Sequence, residues 1–299
     1  MSGAAIAPPR GELRLDEPLA RHTSWRVGGP ARRFYRPVDA ADLVAFLATL
    51  DPEEPLLWLG LGSNLLVSDA GFAGTVIQTQ GRLSALERLG DLGLRAECGV
   101  SCASAARLAA RAGLAGIEFL AGIPGTLGGA LALNAGAHGG ETWERVRKVL
   151  TVDRAGRVRE RLPADFRIDY RQVEGPAEEW FLAVEFDLEA GEPAACQARI
   201  RDLLERRNQS QPIGQPSCGS VFRNPPGDYA ARLIEAAGLK GECEGGAQVS
   251  TRHANFIINT GGASAHDILR LIERVRARVV SHSGVTLRTE VHFIGGETA

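Results

Sequence analysis

The sequence is short of the residues that mark several common classes of protein. Its five cysteines contain no CxxC pair, so neither a zinc site nor a disulfide framework is indicated, and a reducing cytosol fits best. The formal net charge over 299 residues is only −2, which gives no electrostatic case for binding nucleic acid or an anionic membrane. We therefore predict no metal site and no nucleic-acid partner.

Long apolar segments that could cross a membrane are also missing. Residues 1–19 have no basic start followed by an apolar run, so no signal peptide is indicated. Residues 119–137 carry no charge, but they include five glycines and one proline. Such a segment would leave polar backbone groups unsatisfied in lipid, so we predict a cytoplasmic protein without a membrane contact.

Local patterns predict an α+β fold with short strands joined by glycine turns, followed by a region in which helices and strands alternate. Strong capping signals support some helices, above all Ser264 with Asp267 at capping-box spacing. Helices are predicted at residues 40–50, 103–112, 194–207, 229–237 and 264–282. Strands are predicted at residues 56–59, 65–67, 75–78, 146–152, 158–162, 181–188, 254–259 and 285–294.

A change of composition near residue 190 predicts a domain boundary. Residues 1–20 look like a flexible leader. Residues 21–192 are expected to form one region of two α+β subdomains that divide near residue 80. Residues 197–296 are expected to form a C-terminal α/β domain.

Residues 59–66 read Leu-Gly-Leu-Gly-Ser-Asn-Leu-Leu and follow a predicted strand. Gly60 and Gly62 free the backbone to curl around a phosphate, while Ser63 and Asn64 add side-chain donors. The alternative interpretation is a tight turn between two strands.

A second glycine-rich stretch covers residues 121–137 and is uncharged. Glycine at this density indicates either tight packing of backbone on backbone or a loop that wraps a ligand, and FAD would suit it. The two glycine-rich stretches, about 60 residues apart, resemble the FAD-binding lobe of the vanillyl-alcohol-oxidase superfamily. That lobe holds the FAD diphosphate in loops and lacks the Rossmann fingerprint.

Motifs in one order along nearly the whole chain resemble the UDP-N-acetylenolpyruvoylglucosamine reductase family. The sequence has no long insertion carrying a substrate-clamping tyrosine, so it is similar to the shorter branch of that family. The motifs are residues 22–31 (HTSWRVGGPA), 62–66 (GSNLL), 122–126 (GIPGT), 169–171 (DYR), 217–225 (SCGSVFRNP), 233–241 (LIEAAGLKG), 246–250 (GAQVS), 253–256 (HANF) and 287–291 (LRTEV).

The resemblance implies a vanillyl-alcohol-oxidase (PCMH) type FAD-binding region over residues 21–192 and a substrate-binding domain over residues 197–296. It also implies noncovalent FAD, without a covalent link to His22, and NADPH as the reductant. The implied substrate is UDP-N-acetylglucosamine enolpyruvate, which is reduced to UDP-N-acetylmuramate in peptidoglycan precursor synthesis. The implied cofactor contacts are Gly60, Gly62, Ser63, Asn64, Leu65, Gly122, Ile123, Pro124, Gly125, Thr126, Gly128, Gly129, Asn134 and Gly136.

Three catalytic residues are implied by the same motifs. Arg171 suits the substrate carboxylate, since a guanidinium is always charged and can bind both carboxylate oxygens. Ser220 is implied as the proton donor, and Glu290 as the acid that stabilises the developing enolate. Alternating apolar positions in residues 285–293 place Glu290 on a face that would look into a polar cleft.

Each of these residues also has a structural interpretation. Arg171 suits a surface salt bridge, Ser220 a turn, and Glu290 a solvated strand face. Cys218 suits packing better than a redox role. At the level of function, the alternatives are an FAD-dependent oxidase of the same superfamily that acts on an alcohol or a sugar, and a non-catalytic protein that binds flavin or a sugar nucleotide.

Overall fold

The structure is a computed structural model that describes residues 8–296. Most of its strands are short. In chain order they are β1 (Glu12–Pro18), β2 (Pro30–Arg36), β3 (Leu56–Leu59), β4 (Leu65–Val67), β5 (Phe72–Gln78), β6 (Leu86–Leu89), β7 (Gly93–Glu97), β8 (Leu114–Ala115), β9 (Gly136–Ala137), β10 (Gly140–Glu141), β11 (Val146–Asp153), β12 (Val158–Arg161), β13 (Arg167–Asp169), β14 (Gln172–Glu174), β15 (Glu179–Asp187), β16 (Glu189–Ala190), β17 (Cys243–Glu244), β18 (Ala247–Val249), β19 (Ile257–Asn259) and β20 (His292–Ile294).

The helices are fewer, and two of them are long. Within residues 8–296, no helix combines the length and the apolar character that crossing a membrane requires. The α-helices are α1 (Ala40–Leu47), α2 (Cys102–Arg111), α3 (Leu127–Ala132), α4 (Pro193–Ser210), α5 (Ala230–Ala236) and α6 (Ala265–Ser283). Short 3₁₀ helices occur at Leu19–Arg21, Glu118–Gly122, Thr142–Arg145 and Pro163–Asp165.

The described chain divides into two compact units whose segments alternate along the sequence. The first unit contains residues 8–15, 33–60 and 74–205. The second unit contains residues 16–32, 61–73 and 206–296. The predicted division into residues 21–192 and 197–296 therefore differs from the structure, because two N-terminal segments fold with the C-terminal part of the chain.

The first unit is built on two larger sheets. A four-stranded sheet has the order β1-β2-β5-β3, and a five-stranded sheet has the order β12-β11-β15-β7-β6. All pairings in the five-stranded sheet are antiparallel. The alanine-rich face of α2 is buried in a core shared with β7, β11 and β15, since small side chains let the helix approach closely. A second core surrounds α1.

The second unit combines a small antiparallel sheet, β17-β18-β19, with a parallel pair between β20 and β4. Helix α6 buries one apolar face that includes Ile268, Leu271 and Ile272. Trp25 is fully buried in the same core, and its indole N–H donates to the carbonyl of Ile257 at 2.7 Å. This bond ties an N-terminal residue into the C-terminal core.

Several sequence-based predictions are confirmed. The strands at residues 56–59 and 65–67 have the predicted bounds, and β11 and β12 form the predicted hairpin. Helix α2 ends before Gly113, whose φ of 71° is left-handed as a C-terminal cap requires. The predicted capping box of Ser264 and Asp267 is present at the start of α6.

Other predictions are wrong. The flexible leader was expected to reach residue 20, but residues 12–18 form β1, an edge strand whose leucines are exposed and so gave no signal of burial. Residues 1–7 of that leader lie outside the described residues. The strand predicted at 285–294 is confined to residues 292–294, because its partner β4 is three residues long. The strand predicted at 254–259 begins only at Ile257.

The capping box supplies the first testable prediction. Ser264→Ala removes the hydroxyl that accepts the Asp267 amide at 3.0 Å, so it should lower the free energy of unfolding by about 1 kcal/mol. Urea titration followed by circular dichroism would measure the change. Ser281→Ala, at an exposed position of the same helix, is the control and should stay within about 0.5 kcal/mol of the wild type. Equal losses in both variants would contradict the capping role.

Candidate active site

Gly62 lies in the loop between β3 and β4, where no other residue type fits. Its φ is 65°, in the left-handed region, and an added Cβ would lie 2.1 Å from the carbonyl oxygen of His22. The carbonyl of Gly62 accepts the amide of Ser24 at 2.9 Å. The loop backbone in the second unit therefore lies directly on residues 22–24.

The first unit brings Gly60 against the second glycine-rich stretch. A Cβ added at Gly60 would lie 2.4 Å from the hydroxyl oxygen of Thr126. The amides of Leu127 and Gly128 donate to backbone carbonyls of residues 100 and 98 at 2.9 Å each, which pins the stretch in place. Glycine at position 60 thus allows two loops that are distant in sequence to meet.

A cavity of about 260 Å³ lies beside this meeting point, within the first unit. Aromatic rings and glycines dominate its lining. Of the predicted cofactor contacts, Gly60, Thr126, Gly128 and Gly129 line it, together with Trp58, Leu59, Thr79, Cys98, Ala132, Phe166, Val173, Gly175, Pro176, Glu179, Trp180 and Phe181. Gly122, Ile123, Pro124, Gly125, Asn134 and Gly136, in the same unit, are not among the described residues that line it.

Two polar atoms of this lining are buried without a hydrogen-bond partner among the described residues. They are the indole nitrogen of Trp58 and the hydroxyl oxygen of Thr126. The indole of Trp58 stacks on that of Trp180 with ring centroids 5.3 Å apart and 15° between the planes. Leaving a buried donor unpaired costs about 1–3 kcal/mol, so the lining fits a ligand that combines an aromatic ring with hydrogen-bonding edges.

Two ionisable side chains of the lining, Glu179 and Cys98, have shifted pKa values. Hydrogen bonding to Arg161 holds the pKa of Glu179 below its usual range, and Thr151 donates to the same carboxylate at 2.7 Å. Burial raises the pKa of Cys98 to about 12, so its thiol stays neutral at pH 7. The cavity therefore has one carboxylate that is already paired.

Arg171 sits at the turn between β13 and β14, with a left-handed φ of 56°. Its guanidinium donates to the carbonyl of Gly136 at 2.6 Å and to that of Asn134 at 3.2 Å, and it lies 3.8 Å from the Glu141 carboxylate. The side chain is only 16% exposed, which does not fit the alternative of a surface salt bridge. Asn134 and Gly136 thus hold Arg171 through their carbonyl groups.

Ser220 and Glu290 lie on neighbouring segments of the second unit. Phe222 and Thr289 form an antiparallel bridge, and the amide of Glu290 donates to the carbonyl of Val221, the residue after Ser220, at 2.8 Å. Both Ser220 and Glu290 are half-buried. The structure thus brings together two of the predicted catalytic residues across about 70 positions of sequence.

Asn64 contacts the segment that contains Glu290. Its side-chain amide donates to the carbonyl of Glu290 at 3.0 Å, and its own carbonyl accepts the amide of His292 at 3.0 Å. Leu65, the next residue, pairs with His292 in the parallel β4–β20 ladder. Ser63 is half-buried in the same loop.

Two further residues shape this region: sequence reasoning gave no role to Asn255 and predicted that Cys218 packs. Asn255 is buried, and its side-chain amide makes two bonds to the backbone of Phe222, at 2.8 and 3.0 Å. Cys218 is also buried, and its thiol lies 3.5 Å from the carbonyl of Leu65, while burial raises its pKa to about 12. The available signal for Asn255 was a polar residue between Ala254 and Phe256, and the burial of Cys218 agrees with the predicted packing role.

His22 is held by a carboxylate of its own unit. Its Nε2 lies 2.8 Å from the Oε1 of Glu17, and both side chains are largely buried. Within residues 8–296 no three His, Cys, Asp or Glu side chains form a group that could hold a metal ion.

Comparisons with known proteins relate both parts of the chain to described families. Residues 31–161 match a family model described as an FAD binding domain. Residues 211–294 match a model described as the C-terminal domain of UDP-N-acetylenolpyruvoylglucosamine reductase.

Relatives of the whole chain carry the same description. A UDP-N-acetylenolpyruvoylglucosamine reductase from Alkalilimnicola ehrlichii is 65% identical over 285 residues, which cover 95% of each chain. One from Methylococcus capsulatus is 59% identical and covers 97% of this chain and 95% of that protein. The crystal structure of UDP-N-acetylenolpyruvylglucosamine reductase (MurB) from Thermus caldophilus superposes with a TM-score of 0.83 at 33% identity, covering 96% of this chain and 99% of that one.

The contact between Gly60 and Thr126 yields a stability prediction. Gly60→Ala places a methyl group 2.4 Å from the Thr126 hydroxyl oxygen, so it should lower the free energy of unfolding by about 1–3 kcal/mol. Chemical denaturation of the protein without added ligand would measure this. Gly129 also lines the cavity, but a Cβ added there would lie 3.9 Å from its nearest neighbour, the Thr126 hydroxyl oxygen. Gly129→Ala is therefore the control. It should raise stability by up to about 1 kcal/mol, and a loss as large as that of Gly60→Ala would refute the steric argument.

Proposed function

Because this chain belongs to the UDP-N-acetylenolpyruvoylglucosamine reductase family, we propose that it reduces UDP-N-acetylglucosamine enolpyruvate to UDP-N-acetylmuramate for peptidoglycan precursor synthesis, using noncovalent FAD and NADPH. The chain is an oxidoreductase with an FAD-binding domain. The observation that supports the proposed chemistry is the backbone bond between Glu290 and Val221, because it brings the backbone of Glu290 next to the segment that contains Ser220.

The lining of the first-unit cavity supports FAD as the cofactor. An aromatic lining suits a planar heterocycle, and the unpaired groups of Trp58 and Thr126 suit its polar edges or its ribose hydroxyls. Gly60 removes the side chain that would otherwise fill the approach to Thr126. In this proposal Gly60, Thr126, Gly128 and Gly129 contact FAD within the first unit.

The reaction sets three demands on the protein. The chemistry that bound FAD supplies is hydride transfer, from NADPH to the terminal methylene carbon of the enolpyruvyl group. Negative charge then develops on the adjacent carbon and its carboxylate. A cation, an acid that polarises the double bond and a proton donor are needed to lower the barrier.

Arg171 is proposed to supply the cation. Its guanidinium donates to the neutral carbonyls of Asn134 and Gly136, with the Glu141 carboxylate 3.8 Å away. Those bonds also fix the direction of the side chain, so little conformational entropy is lost when it binds the substrate carboxylate.

Glu290 and Ser220 are proposed to share the proton chemistry. Glu290 in its protonated form donates a hydrogen bond to the substrate carboxylate as charge develops. The Ser220 hydroxyl donates the proton to the adjacent carbon. A serine hydroxyl is a weak acid, so its role requires the carbon that it protonates to be strongly basic.

An anaerobic experiment tests the proposed function. The purified protein should be yellow, and NADPH should bleach its visible flavin absorbance in the absence of oxygen. Adding UDP-N-acetylglucosamine enolpyruvate should then restore the absorbance and produce one UDP-N-acetylmuramate per flavin. Reoxidation by oxygen alone, with no response to the UDP-linked substrate, would point to an oxidase instead and would reject the proposal.

A substitution at Ser220 separates the two half-reactions. Ser220→Ala should leave the reduction of flavin by NADPH close to the wild-type rate, because that step needs no proton from this hydroxyl. It should slow reoxidation by the substrate by about 10²-fold or more, the range of general acid catalysis. Stopped-flow absorbance measures both steps, and Ser281→Ala serves as the control. Wild-type reoxidation in Ser220→Ala would remove this residue from the mechanism.

A further inference from the structure

The peptide groups on both sides of Glu290 are held by hydrogen bonds within the second unit. Its amide donates to the carbonyl of Val221 at 2.8 Å, and its carbonyl accepts from the side chain of Asn64 at 3.0 Å. The direction in which a side chain leaves the backbone is set by the peptide groups on either side of it. The two bonds therefore constrain the direction in which the Glu290 side chain leaves the backbone.

Only one of these two bonds comes from a side chain. Val221 uses its backbone carbonyl, which any residue at that position would provide. Asn64 donates from its side-chain Nδ2. A substitution at position 64 therefore removes this hydrogen bond and leaves the backbone groups of the loop in place. Asn64 is itself held by a separate backbone bond, in which the amide of His292 donates to the Asn64 carbonyl at 3.0 Å.

We propose that Asn64 is a positioning residue for the acid Glu290, and that its side-chain amide acts on the chemical step rather than on the cofactor. This inference rests on the proposed function, since it assigns Asn64 a part in the reaction that Glu290 serves. The sequence predicted Asn64 as a cofactor contact through its side-chain donor. In the structure that donor is directed to the carbonyl of Glu290.

The neighbours of Asn64 support a rigid attachment. Gly62 has no room for a side chain above the His22 carbonyl, and the Leu65 carbonyl is approached by the thiol of Cys218 at 3.5 Å. The loop is thus held on both sides of Asn64. A rigid loop transmits its position to Glu290, whereas a mobile loop would leave the Glu290 peptide loosely oriented.

The test compares Asn64→Ala and Asn64→Asp with the wild type, all saturated with FAD. Both variants remove the donor, and Asp keeps the shape of Asn. Reoxidation of the reduced flavin by UDP-N-acetylglucosamine enolpyruvate should slow by roughly 10- to 100-fold, because misplacing a catalytic group by about 1 Å costs up to that factor. The Kd for FAD and the KM for the substrate should change by less than about threefold.

A readout without cofactor accompanies the kinetics. Hydrogen exchange can be measured by mass spectrometry on the apoproteins. In both Asn64 variants it should be faster in peptides that contain Glu290 and His292, because the Glu290 carbonyl loses its hydrogen bond from Asn64. Asn259→Ala is the matched control, since its Nδ2 also donates to a backbone carbonyl of the second unit, that of Trp25 at 2.9 Å. It should lower thermal stability but leave the reoxidation rate within about twofold.

The outcomes separate this inference from the proposed function. If the wild type itself is not reoxidised by the UDP-linked substrate, the proposed function is wrong. If the wild type reacts and Asn64→Asp reacts at the same rate, the positioning role is wrong. Loss of FAD affinity in both Asn64 variants, with normal reoxidation at saturating FAD, would likewise overturn it and return Asn64 to the cofactor contacts.

Discussion

A short run of backbone and side-chain hydrogen bonds around Glu290 organises the second unit. Glu290 donates to Val221 and accepts from Asn64, and these two partners are separated by more than 150 residues of sequence. The serine segment, the glycine loop and the closing strand are therefore not three independent features. Each is positioned by the peptide groups of the others, and the proposed acid stands where they meet.

The first unit follows a different principle, in which glycine permits close approach and aromatic rings line the resulting space. Gly60 lets its loop reach Thr126, and the amides of Leu127 and Gly128 keep the opposing stretch in place. Trp58 and Trp180 stack at the cavity wall. Arg171 is held separately at the turn of a hairpin by backbone carbonyls and by the nearby Glu141 carboxylate, which together give its side chain a defined direction.

The parts of the structure that the sequence predicted well are those decided by neighbours in the chain. Helix α6 follows from its capping residues and its apolar spacing, and the need for glycine at position 62 follows from a loop between two short strands. Edge strand β1 was missed because both of its faces expose side chains. The partner of the Asn64 side chain lies 226 residues away, so no local pattern contains it. A similar separation, 232 residues between Trp25 and Ile257, explains why the assignment of residues 16–32 to the C-terminal part of the chain was missed.

The pairing of β4 with β20 has a consequence for how the chain is made. Residues 65–67 leave the ribosome long before residues 292–294, and at roughly 5–20 residues per second the interval is about 11–45 s. During that time β4 lacks the strand that it pairs with in the finished protein, and Leu65, Leu66 and Val67 form an apolar edge without a partner. The second unit therefore cannot complete its β4–β20 pair until residues 292–294 have been synthesised.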